Sequence, residues 1–265
     1  MKRNIAIGIV LIIVVSFSGC TEISDEDEHI PDESIEIACW NLQIFGTSKA
    51  GDKSLVRYYA NKLDNYDISI IQEIRDSSGT AIQILAEEME GYDYIISDRA
   101  GQSTSKEQYA IFYNNEVTLR SHKDYTSSYQ DKMQRPPLKA KFDANNGDWD
   151  FTIYTIHTQP SNVDNDLDIL EEIVGGTSQD TIIIGDLNAD GSYYDEDNIE
   201  HFTTWEWVLG NEIDTTVSAG DNTYDRIIIN DNCKNNFIKV GVMDNVDKDQ
   251  SDHYLVYGIF NPEGE

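Results

Sequence analysis

The sequence predicts an α/β domain in which two β-sheets pack face to face with helices outside them. Three observations carry that reading. Short runs with period-2 apolar alternation recur along the chain, stripes with helical spacing fall between them, and polar strings close several of the apolar runs. With 265 residues and no internal repeat, one domain behind a leader is expected.

The elements follow in chain order. Alternation of Ile35, Ile37 and Cys39 marks a strand over 35–41, and Leu55, Tyr59 and Leu63 then lie on one helical face. A strand over 68–72 precedes a second helical stripe, Ile82, Leu85, Ala86 and Met89. Strands are next expected over 92–97, 109–113, 138–142 and 151–157, before a third helix carrying Leu167, Leu170, Ile173 and Val174. The all-aliphatic Ile182, Ile183 and Ile184 mark a buried strand over 181–185. A fourth helix is expected over 199–209, and strands over 226–229 and 254–260 end the domain.

The leader reads differently. Lys2 and Arg3 precede an apolar stretch over 5–15 and the small-residue run 16–20, the pattern of a secretory signal. The stretch is short for a membrane span. Gly19 and Cys20 resemble a lipobox, in which the cysteine is lipidated and becomes the mature N-terminus, with Phe17 where leucine is usual. The alternative is a plain amino-terminal anchor helix, and both readings export the bulk of the chain. Residues 21–34 are acidic and nearly devoid of apolar side chains, which predicts a disordered tether ahead of a folded domain over 35–265. Cys39 and Cys233 remain; an exported pair could form a disulfide, although a small buried thiol suits Cys39 better.

The net charge of −30 runs against nucleic-acid binding, which is expected to show a basic footprint. Exposed charges more than about 10 Å apart are largely screened at 0.1 M salt. A saline setting, or divalent cations bridging protein and polyanion, would reconcile the two.

Chemistry is concentrated in Gln72-Glu73, Gly185-Asp186-Leu187-Asn188 and Ser251-Asp252-His253, each at the end of an apolar run or the start of the next. A period-2 extension puts Asp186 and Asn188 on one face, offering a hard cation two oxygen ligands. Together the strings point to a metal-assisted phosphoesterase.

Longer strings then identify a family. Residues 40–46, 71–76, 105–109, His157 with Pro160-Ser161, residues 185–190, 224–226 and 251–254 occur in one order and span nearly the whole folded region. In these the chain resembles the deoxyribonuclease I family within the endonuclease/exonuclease/phosphatase superfamily. The resemblance implies a four-layer α/β sandwich of two packed, mainly antiparallel sheets flanked by helices. It implies Glu73 as central magnesium ligand, with Asn41, Asp186, Asn188 and Asp252 around the metal and scissile phosphate, manganese being the alternative ion. His157 and His253 match the family's two histidines, and Glu107 and Asp225 the carboxylates that orient them. Their ordinary pKa near 6.5 suits proton transfer on both sides of a phosphodiester. His253 is assigned as base and His157 as acid, although sequence does not separate the roles.

Arg75 matches an arginine that enters the DNA minor groove, and Arg135 one that contacts the DNA backbone. Such contacts read shape more than sequence. Departures accompany the matches. Ser105 stands at the family's groove-stacking tyrosine and Gln102 at an arginine. Gly191 and Asn222 stand at its structural disulfide, and the cysteine loop near residues 127–135 has no cysteines. Asp214 and Thr216 match a calcium loop in which Gly220 replaces a threonine. The resulting expectation is a monomeric, magnesium-dependent endonuclease of low sequence specificity acting on double-stranded DNA, tethered through Cys20 to the outer face of the membrane. A lipid or small-molecule phosphodiesterase and a non-catalytic surface binding module are the alternatives.

Overall fold

The computed structural model describes residues 30, 31 and 33–264. The expected signal segment, Cys20 and most of the expected acidic tether therefore lie outside the described residues. Among those described, no helix is long and apolar enough to cross a membrane.

Twelve strands form two six-stranded sheets. The first has the order β11 (Phe237–Met243), β12 (Leu255–Phe260), β1 (Ile35–Phe45), β2 (Ile68–Ile74), β4 (Gln108–Tyr113), β3 (Asp93–Ile96). The second has the order β5 (Val117–Asp124), β6 (Leu138–Ala144), β7 (Asp150–Thr155), β8 (Asp180–Asp186), β10 (Asp225–Ile229), β9 (Glu206–Trp207). Each sheet is antiparallel except for one central parallel pair, β1 with β2 and β7 with β8.

Alternation explains the layers. Ile35, Ile37, Cys39, Ile68 and Ile70 of sheet 1 face Leu138, Ala140, Phe142, Ile153, Ile182, Ile184, Ile227 and Ile229 of sheet 2 in a buried inter-sheet core. The opposite residues, such as Trp40, Leu42, Ile71 and Phe112, meet helices α2 (Lys53–Leu63) and α3 (Thr80–Glu88) through Val56, Tyr59, Leu63, Ile82 and Leu85. On the other side Tyr154, Ile183 and Ile228 meet Val163, Leu167 and Leu170 of α5 (Val163–Val174). The four layers are those expected. Two short helices, α1 (Thr47–Ala50) and α4 (Thr126–Tyr129), sit in the connections.

Two expectations change. The helix expected over 199–209 does not form: Phe202 takes a left-handed φ of +49°, and Glu206–Trp207 pairs with Ile228 and Ile229 as β9. The segment Thr203-Thr204-Trp205-Glu206-Trp207-Val208 is aromatic and β-branched, which suits a pleated edge better than a helix. β5 and β11 were not expected at all; both are edge strands, and β5 is largely exposed, so neither shows a clean apolar alternation. Cys39 and Cys233 are buried free thiols, and burial raises the pKa of both.

The sheets are joined at one end by Gln72 of β2. Its Nε2 donates to Thr155 Oγ1 (3.1 Å) and to the Ile156 carbonyl (2.8 Å), and its Oε1 accepts from the Asp186 N–H (2.9 Å). Gly185 makes room for this bridge, because a Cβ there would lie 2.1 Å from the Ile156 carbonyl and 2.5 Å from Gln72 Nε2. The substitution Gly185→Ala is therefore expected to cost about 3 kcal/mol or more. By calorimetry the melting temperature should fall by at least about 6 °C, at roughly 2–4 °C per kcal/mol for a domain of this size.

Candidate active site

The bridged end of the sandwich gathers the polar residues. Asn41 and Glu73 stand near the ends of the parallel strands β1 and β2, Asp186 ends β8, His157 follows β7, Asp225 begins β10, and Glu107 and His253 precede β4 and β12. Both central strands lose regular pairing at this level, between Asn41 and Phe45 in β1 and between Ile71 and Ile74 in β2. Gln43, Ile44 and Glu73 there adopt left-handed φ values of +46°, +58° and +60°, and Asn188 adopts +48°. Non-glycine residues held in this region cost free energy and cluster at functional sites. The irregularity lets the Ile44 N–H donate to Glu73 Oε2 at 2.8 Å.

Two carboxylate–histidine dyads converge on one carboxylate. His157 Nδ1 meets Glu107 Oε2 at 3.1 Å, and its Nε2 meets Asp186 Oδ2 at 3.2 Å. His253 Nδ1 meets Asp225 Oδ2 at 2.7 Å, and its Nε2 lies 3.5 Å from the same Asp186 Oδ2. Asn41 Nδ2 donates to that oxygen at 3.1 Å and lies 3.4 Å from Glu73 Oε1. Asn188 donates through its N–H to Asp186 Oδ1 and through Nδ2 to the Thr158 carbonyl, both at 3.1 Å. The structure thus brings Asn41, Glu73, Glu107, His157, Asp186, Asn188, Asp225 and His253 together. Asp252 is exposed and, among the described residues, makes no side-chain hydrogen bond to Asn41 or Glu73.

Electrostatics follow from this packing. Burial opposes the charged ring of His157, yet Asp186 and Glu107 outweigh it and lift its pKa to about 9. Burial likewise opposes His253, and Asp225 and Asp186 lift it to about 10. Glu107 is pushed up by burial but drawn down to about 2 by His157, Arg135 and Arg75. Asp186 is pushed up by burial and drawn well below the usual carboxylate range by the two histidines. For Asp225 burial wins, and its pKa is raised.

Both arginines contact carboxylates of the site. Arg75 Nη2 lies 3.1 Å from Glu73 and 3.5 Å from Glu107, and Nη1 donates to Ser105 Oγ at 3.0 Å, so the residue at the family's tyrosine position steadies Arg75. Arg135, expected on a DNA phosphate, is buried under the site. Its Nε donates to the His157 carbonyl at 2.7 Å, Nη1 to Glu107 at 2.8 Å, and Nη2 to the Thr158 carbonyl. It sets the Glu107–His157 dyad in place from beneath, a position its sequence context did not reveal.

Other supports carried no role in the sequence reading. Ser251 Oγ donates to the Asn41 carbonyl at 2.6 Å and accepts from the His253 N–H at 3.1 Å, tying β1 to the histidine loop. Lys49 Nζ donates to the Leu42 and Gln250 carbonyls, and Tyr109 Oη accepts from the His157 N–H. Ser251 and Tyr109 lay inside matching strings, whereas Lys49 gave no signal. Asp214 and Thr216 are also adjacent: Asp214 Oδ1 accepts from the Thr216 and Asn222 N–H groups, and Thr216 pairs with His253. At the lost disulfide, Asn222 Oδ1 lies 3.0 Å from where a Gly191 Cβ would stand, and Asp190 holds the two segments by accepting from the Thr223 N–H.

The donor set fits a divalent metal. Ligand atoms of Glu73, Glu107 and His157 lie within 4.8 Å of one another, and Asn41 adjoins both Glu73 and Asp186. Carboxylate and amide oxygens suit hard cations. Such an ion would polarise a phosphoryl oxygen and neutralise developing charge.

Two expectations follow. Replacing Arg135 with Met leaves Glu107 buried without its cation and should cost about 3–5 kcal/mol of stability by chemical denaturation; an arginine serving only as a surface DNA contact would cost almost none. In chelator, stabilisation by the histidines is complete below pH 6.5 and lost as pH rises through 9 to 10, because their folded pKa values are raised. The melting temperature should therefore fall across that window, and less so in a His157→Gln/His253→Gln variant.

Residues 38–253 match the model of the Endonuclease/Exonuclease/phosphatase family. The chain is 30% identical over 217 residues to deoxyribonuclease-1 of Sus scrofa, covering 74% of this chain and 76% of that protein. It is 31% identical over 219 residues to human deoxyribonuclease gamma, covering 74% and 72%. A mannosyl-6-phosphatase from Bacteroides thetaiotaomicron has a similar fold, with a TM-score of 0.64 over 86% of this chain and 99% of that one at 17% identity. With its two sheets, paired histidine dyads and acidic cluster, the chain belongs to the endonuclease/exonuclease/phosphatase family as a deoxyribonuclease I-like member.

Proposed function

We propose that the protein is a magnesium-dependent endonuclease that hydrolyses phosphodiester bonds of double-stranded DNA with low sequence specificity. The observation that carries this reading is the convergence of His157 and His253, each backed by its own carboxylate, on Asp186. Phosphodiester hydrolysis needs one proton removed from water and another given to the leaving oxygen. His157, held between Glu107 and Asp186, is assigned as the donor. His253, held in one tautomer by Asp225, takes the water proton once uncharged. Arg75 at the rim, together with the likeness to the pig and human deoxyribonucleases, favours DNA.

Magnesium is the ion assigned to Glu73, Asn41 and Asp186; manganese would serve the same donors. A calcium at Asp214 and Thr216 would brace the loop beside His253. We further assign export as a monomer, with Cys20 lipidated and the acidic stretch 21–34 tethering the domain outside the cell membrane. The acidic net charge favours, as second reading, a lipid or small-molecule phosphodiester.

Supercoiled-plasmid nicking separates the two. Nicking with magnesium that stops in chelator is expected, and His157→Ala and His253→Ala should each lower the rate by at least about 10²-fold. Turnover of a sphingolipid or inositol phosphate without nicking at any salt concentration would establish the second reading instead.

A further inference from the structure

On this acidic chain, one flank seats three lysines on aromatic rings. Strand β6 turns Leu138, Ala140 and Phe142 into the inter-sheet core, so Lys139 and Lys141 face outward. Register places Lys123 of β5 directly opposite Lys139. Like charges directly opposite on adjacent strands destabilise a sheet, so this pairing works against folding. Lys123 Nζ lies 4.1 Å from the Tyr125 ring centre, Lys139 Nζ 5.2 Å from Tyr154, and Lys132 Nζ 5.3 Å from Tyr129. Tyr125 adjoins both other rings, at 5.9 and 6.5 Å between centres, so the three form one aromatic floor.

Neighbouring cations are neutralised: Arg120 pairs with Asp143 and Lys141 with Asp150. Among the described residues Lys123 and Lys139 form no ion pair, and Lys132 only a 3.9 Å contact with Glu172. Cations seated on ring faces keep their charge available to an anion. The flank lies beside the active site. Tyr154 pairs with Lys139 and stands three residues before His157, about 10 Å at roughly 3.3 Å per residue. A duplex carries a phosphate about every 3.4 Å along each strand, so one engaged at His157 has further phosphates within reach of this flank.

We propose that Lys123, Lys132 and Lys139, carried on the Tyr125–Tyr129–Tyr154 floor, form a second DNA-backbone contact that holds duplex flanking the scissile bond. The assignment rests on the endonuclease reading above. It gives the acidic body a sequence-independent grip on its substrate, separate from the catalytic edge.

The test is binding of a labelled long duplex to the full chain in chelator, where no turnover occurs, across a salt series. Each lost phosphate contact lowers the salt slope by about 0.9, so Lys123→Gln/Lys132→Gln/Lys139→Gln should lower it by about 2 to 3 and weaken binding at low salt. Removing the facing lysines should leave the melting temperature unchanged or higher. The variant's rate on a duplex too short to reach the flank should match wild type. Equal slopes and affinities for variant and wild type would overturn the proposal while leaving plasmid nicking intact. A wild type that binds no duplex in chelator would overturn the proposal alone, and one that binds with the expected slopes but never nicks with magnesium would sink only the endonuclease.

Discussion

The Gln72 amide is the interaction on which the site depends. Two sheets packed through aliphatic side chains are free to slide by fractions of an ångström, because the hydrophobic effect is non-directional. Gln72 removes that freedom where it matters, with three hydrogen bonds from β2 to the ends of β7 and β8, the last to the Asp186 backbone. Each bond contributes about 1 kcal/mol net, yet leaving any of these buried groups unpaired would cost more. Gly185 belongs to the same device, since no other residue lets the amide approach so closely.

With the sheets locked, Asp186 becomes a common counter-charge for two imidazoles that arrive from different layers. His157 comes with sheet 2, backed by Glu107; His253 comes with sheet 1, backed by Asp225 of sheet 2. Each dyad therefore crosses the seam between the sheets, and the geometry of both depends on that seam. Arg135 beneath and Ser251 beside the dyads fix their backbones as well as their side chains. Left-handed Glu73 and Asn188 indicate that backbone strain is accepted at this edge and offset by the aliphatic core below it.

Charge is divided over the molecule in a way its total conceals. The buried site combines carboxylates with raised histidines and two arginines, whereas the flank of β5 and β6 carries lysines on aromatic rings. The net charge of −30 is an average over surfaces with different tasks.

The sequence by itself determined whatever repeats locally. Strands buried on alternate faces, such as β1, β6 and β8, and the stripes of α2, α3 and α5 were legible because their side-chain periods mirror their burial. Glu73, Asp186, Asn188 and His253 were legible in strings of polar groups at strand ends, whereas Asn41, Glu107, His157 and Asp225 were reached through the family resemblance. Only the tertiary structure decided the rest. Edge strands β5 and β11 lack a dry face to impose a pattern, and residues 199–209 became a left-handed turn and a strand because β10 offered an open edge. Above all, it decided that Arg135 lies under Glu107 and that Lys123 faces Lys139. Those facts depend on how distant strands are registered, and no local window of sequence contains them.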